Sequence, residues 1–81
     1  MELGDFDVHF RHGVSDRKRP TTTCTLMHHG VLINKAVSEC SDGDLPNKIV
    51  GRKVAMQRAM STLTKTTRAR IWNDYLEQTR I

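Results

Sequence analysis

The spacing of apolar residues changes period near the middle of the chain, and this constrains the fold more than any other feature. Phe6, Val8 and Phe10 alternate with Asp7, His9 and Arg11. That period of two suits a strand with one covered face and does not suit a helix. Thr21 to His28 is rich in β-branched residues, and Val31 to Cys40 continues the extended pattern. Between them His29-Gly30 can form a tight turn, Gly30 taking the positive φ. From Leu45 onward apolar residues recur instead at three and four positions, the spacing of amphipathic helices.

A hairpin turning at His29-Gly30 predicts a register with Leu26 opposite Ile33 and Thr22 opposite Val37. Leu26, Val31, Ile33 and Val37 then share the face that meets the helices. Cys24 falls opposite Lys35 rather than Cys40, so two free thiols are expected. The stretch from Gly13 to Pro20 carries Gly, Ser, Asp and Pro and reads as an exposed loop, with Arg17, Lys18 and Arg19 at its end.

Ser41-Asp42-Gly43-Asp44 ends the sheet, and Asp44 can cap a helix that starts at Leu45-Pro46 and runs to about Leu63. Leu45, Ile49, Met56, Met60 and Leu63 form its packing stripe. Val50 and Val54 fall outside that stripe, which implies either a second contact or a start broken near Gly51. Lys65-Thr66-Thr67 reads as a polar hinge with threonine caps. Ile71, Trp72, Tyr75 and Leu76 mark a short final helix. The expectation is one α+β domain over residues 1–81: a three-stranded antiparallel meander followed by two helices packed on one face. Its expected core is Phe6, Phe10, Leu26, Ile33, Val37, Ile49, Met56, Met60 and Leu63.

Composition bears on function. With 81 residues and only 5% aromatics, the core is too small to wall off a deep substrate cavity, which needs roughly 300 Å³ of packed lining. Neither an enzyme nor a small-molecule substrate or cofactor is expected. Cys24 with His28 is the nearest thing to a nucleophile and base, and it carries no local signature. His9, His12, Cys24, His28 and His29 are the right donors for zinc, but strand alternation sends His9 and His12 to opposite faces, so no metal is expected. No stretch approaches the roughly 18 apolar residues of a membrane span, and the start lacks the order of a signal peptide. A cytoplasmic protein with no membrane contact is the expectation.

Net charge is +4 and uneven. Residues 1–40 hold five Lys/Arg against five Asp/Glu, and residues 41–81 hold eight against four. The excess favours an acidic partner, either nucleic acid or an acidic protein face. Arg17, Lys18 and Arg19 in the loop, with Lys48, Arg52, Lys53 and Arg58 around the first helix, are the candidate phosphate or partner contacts. Lys65, Arg68 and Arg70 surround the hinge. Trp72 and Tyr75 are candidate aromatic anchors for a protein partner. No ribonucleoprotein strand motif, zinc-finger spacing or helix-turn-helix is present, so sequence-specific reading of bases is not expected.

Two resemblances follow from these residues. Thr21-Thr22-Thr23-Cys24-Thr25-Leu26, Gly51-Arg52-Lys53-Val54-Ala55 and Ile71-Trp72 together resemble small uncharacterised accessory proteins of tailed bacteriophages. In those proteins a threonine-rich hairpin precedes a Gly-Arg-Lys-x-Ala helix and a Trp-containing tail. This resemblance implies a protein of the infected bacterial cytoplasm that binds and diverts a host protein. Gly51-Arg52-Lys53 and Ala55, with Arg58 and Ala59, are also similar to the helix start in the carboxy-terminal half of double-stranded-RNA-binding domains, although the first helix of that family is missing. That similarity implies phosphate contacts for Arg52 and Lys53. The expected partner is therefore a bacterial host protein or, alternatively, DNA or RNA bound without sequence preference. A homodimer is left open.

Overall fold

A computed structural model describes residues 1–40 and 48–79. Four strands, β1 (Glu2–Leu3), β2 (Phe6–Val14), β3 (Pro20–His28) and β4 (Val31–Glu39), form one antiparallel sheet in chain order. Helices α1 (Lys48–Ala59) and α2 (Lys65–Gln78) follow and pack on one face of it. The α+β class, the antiparallel sheet and the two helices match the expectation. The strand count does not: β1 is a fourth strand. It pairs Glu2 with Asp7 and Leu3 with Phe6, and Gly4, at φ 62°, makes the turn between them. A two-residue strand is too short to show a period, yet it buries Leu3 completely.

The Gly13–Pro20 segment is less of a loop than its composition implies. β2 continues through Val14, and Pro20 opens β3, a position where its missing N–H costs no ladder bond. Only residues 15–19 turn. Ser15 donates its N–H to the Arg19 carbonyl and accepts from Lys18 and Arg19, with Lys18 in the left-handed region at φ 59°.

The β3–β4 turn falls at His29-Gly30, as the sequence predicts. Both residues have positive φ (50° and 77°), the combination that matches the twist of two-residue hairpins. Next to this turn the expected register holds, Met27 facing Leu32 and His28 facing Val31. It then shifts by one residue between Leu26 and Met27, so that Leu26 faces Asn34, Cys24 faces Ala36 and Thr22 faces Ser38. A one-residue shift exchanges the faces. Asn34, Ala36 and Ser38 therefore lie under the helices and Val37 on the opposite face, with Ile33 exposed at the bulge; Val31, still opposite His28, is exposed beside the turn, so none of the three is buried under the helices as expected.

Asn34 ties this bulge to the helices. Its Nδ2 donates to the Ala59 carbonyl at the end of α1 (2.9 Å), and its Oδ1 accepts from the Lys35 N–H (2.9 Å). One side chain thus satisfies a helix-end carbonyl and an edge-strand donor.

α1 runs back along β3 and β4, from Gly51 above Thr22 and Ser38 to Ala59 beside Asn34. It is continuous through Gly51, so the alternative of a break there falls away. Glycine is needed for space: a Cβ at position 51 would lie 2.6 Å from Thr22 Oγ1. Ser38 donates to the Gly51 carbonyl across the same close approach (2.8 Å). The proposed cap Asp44 and start Leu45-Pro46 lie outside the described residues.

Lys65, Thr66 and Thr67 form the first turn of α2 rather than a hinge. Thr64 is the cap, its hydroxyl accepting from the Thr67 N–H. α2 has 14 residues. It is held to β1 at two points, Asp74 accepting from the Gly4 N–H and Gln78 donating to the Glu2 carbonyl.

The core is Leu3, Val8, Cys24, Leu26, Ala55, Met56, Ala59, Met60, Ile71 and Tyr75, with Phe6, Phe10 and Leu63 partly buried against it. Leu26, Met56 and Met60 were expected there. Ile49, like Ile33 and Val37, is exposed instead. No described helix is long and apolar enough to cross a membrane.

Candidate functional site

The sequence-derived candidates do not form one surface. They divide among a basic end of the sheet, the β4 edge and a groove between the helices.

At the basic end, β2 carries His12 under the first turns of α1. Its Nδ1 lies 3.1 Å from Thr22 Oγ1, and its Nε2 accepts from Arg52 Nε at 3.1 Å. The Arg52 guanidinium also sits 5.8 Å from the centre of the Phe10 ring, within cation–π range. Arg52 is thus half-buried and engaged, while Lys48 and Lys53 are exposed on the same helix. Desolvation, then the charges of Arg52 and Lys48, push the His12 pKa below its ordinary value. The 15–19 turn, carrying Arg17, Lys18 and Arg19, extends from this end. Arg17 and Lys18 are exposed, and Arg19 reaches Glu39 at 3.4 Å.

Arg58 belongs elsewhere. Cys40 donates to the Pro20 carbonyl, and ladder alternation therefore turns the backbone groups of Val37 and Lys35 toward the free edge of β4. Arg58 Nη1 donates to the Val37 carbonyl at 2.8 Å, and Asn34 already holds the Lys35 N–H. Two outward groups at the centre of this edge are occupied from within the chain, a common defence against strand addition.

Trp72 and Tyr75 also separate. Tyr75 is 3% exposed and packs edge-on to Phe10, so it is core and not available as an aromatic anchor. Trp72, half-buried, meets Tyr75 at 87° and lines a groove of about 480 Å³ with Gln57, Met60, Lys65, Arg68 and Ala69. The sequence pattern places this tryptophan on the apolar side of α2 but does not show the groove, which requires the turn that brings α2 beside the end of α1.

The remaining surface is the face of the sheet away from the helices. Thr21, Thr23, Thr25 and Met27 run along its centre, flanked by Asp7, His9 and Arg11 on β2 and by Leu32, Lys35, Val37 and Glu39 on β4. Leu32 is 56% exposed and Val37 49%. Among the described residues nothing covers this face.

Among the described residues no three His, Cys, Asp or Glu side chains converge. His9 lies on Asp7 (3.0 Å), and His28 packs tilted against Phe6 and edge-on to His29. Burial pushes the Cys24 thiol up to about 11, so it carries almost no thiolate at neutral pH. Cys24 is a buried free thiol. No protein-family model, curated protein or solved structure matches this chain.

Proposed function

We propose that this chain is a small non-enzymatic accessory protein of phage type that binds and modulates a bacterial protein, or a machine that processes nucleic acid, in the cytoplasm of the infected host. The observation that carries this reading is the uncovered sheet face. A chain of 81 residues leaves Leu32 and Val37 open to solvent beside a row of threonines, although its core has few large side chains. Apolar groups gathered on one open face suit a protein interface. The guarded β4 edge favours docking onto the face over addition of a strand, and the basic end then speeds encounter with an acidic partner more than it adds affinity. A homodimer through the same face is the arrangement to be separated from this one.

A second reading, nucleic acid bound without sequence preference, draws on the grouping of Arg17, Lys18, Lys48, Arg52 and Lys53 at one end. Phosphate contacts need only such charges. Base stacking has little support there, since Phe10 is partly buried beneath Arg52. A tagged pull-down from bacterial lysate, with and without nuclease, separates the readings. A protein partner retained after nuclease supports the first. A partner lost with the nucleic acid, together with direct low-salt binding of DNA or RNA, replaces it with the second.

A further inference from the structure

The groove between the end of α1 and the first half of α2 combines an apolar floor with an uncompensated positive rim. Trp72 and Ala69 supply the apolar surface, with Met60 wholly buried behind them, and the indole is held in place by its edge contact with Tyr75. Lys65 and Arg68 stand on the rim. Neither side chain makes an ion pair or donates a hydrogen bond among the described residues. The first turn of α2 contains no acidic residue, although its unpaired N–H groups favour negative charge and disfavour these cations. Asp74 lies further along α2 and is committed to Gly4.

We infer that this groove takes an acidic peptide segment of a protein partner, one apolar side chain packing against Trp72 and Ala69 while carboxylates beside it meet Lys65 and Arg68. A single-stranded nucleic acid suits the site less well. The groove offers one aromatic ring, whereas a track for a single strand stacks successive bases on successive rings. The inference rests on the protein-binding reading and adds the kind of segment that the partner presents.

Trp72 is the only tryptophan, so intrinsic fluorescence reports this site directly. The probe is a short helical peptide with leucines on one face and glutamates beside them, titrated into the full chain. The same peptide with Gln for Glu and an oligothymidylate serve as the other arms. The acidic peptide should give a saturable spectral shift that weakens with salt. The Lys65→Glu, Arg68→Glu double variant should bind it about tenfold less tightly or worse. That variant brings acids to a helix start, where they are favourable, and circular dichroism should show it folded. Arg17→Ala with Lys18→Ala should leave the titration unchanged. An equal response to the Gln peptide, a stronger response to oligothymidylate, or undiminished binding by the double variant would each overturn the inference. If the pull-down retains a protein partner that the double variant still binds, the groove assignment fails while the protein-binding reading stands.

Discussion

The two faces of the sheet alternate residue by residue along the same strands and obey different rules. Beneath the helices, Val8, Cys24 and Leu26 are fully buried, and the polar residues among them, Thr22, Asn34 and Ser38, each have a hydrogen-bond partner. On the other face, Thr23 and Thr25 lie between charged and aliphatic neighbours that pack on nothing. Substitutions under the helices should therefore register in stability, and those on the open face chiefly in binding.

The largest effect is expected at Met60. Replacing it by Ala should cost about 2–5 kcal/mol in chemical denaturation, the range for emptying a packed methionine site. Gly51→Ala comes next: the new methyl meets Thr22, and the resulting strain of about 1–3 kcal/mol exceeds the gain of up to about 1 kcal/mol in helix propensity. Thr22→Ala in the same chain should relieve part of that strain. An additive pair of variants would mean that α1 does not approach the sheet so closely.

Asn34→Ala should cost about 1–2 kcal/mol, because it leaves the Ala59 carbonyl and the Lys35 N–H without their partner. It also tests why the register was only partly legible. The period of two and the His29-Gly30 turn identify the hairpin, and the first two pairs beside the turn follow from them. The bulge depends on a side chain reaching the end of a helix 25 residues later, which no local pattern contains. Once the strand slips by one, Ile33 and Val37 leave the core and Ala36 and Ser38 enter it. Leu3 and Ile71 were missed for related reasons: one sits in a strand too short for periodicity, and the other joins a core cluster that forms only when α2 packs with the sheet and α1. The candidate cations were legible as residues but not as groups, since grouping depends on which strand ends and helix turns come together.

His12 offers a smaller effect with a defined direction. The fold holds it in the neutral form, with a pKa below the ordinary 6.5. Its contribution should be complete above that value and be lost as pH falls through it toward the folded pKa. Stability measured across this range should decline for the parent chain and decline less for His12→Gln. A steeper decline in the variant would contradict the contact with Arg52.

The smallest stability effect is expected on the open face, and there the central claim can be tested most directly. Leu32→Ser and Val37→Ser, made together, should leave the unfolding midpoint nearly unchanged, each within about 0.5 kcal/mol, as for exposed positions in general. The same pair should abolish retention of the nuclease-resistant protein partner in the pull-down. Full retention by this folded variant, or a stability loss on the scale of Met60→Ala, would contradict the assignment of this face to binding.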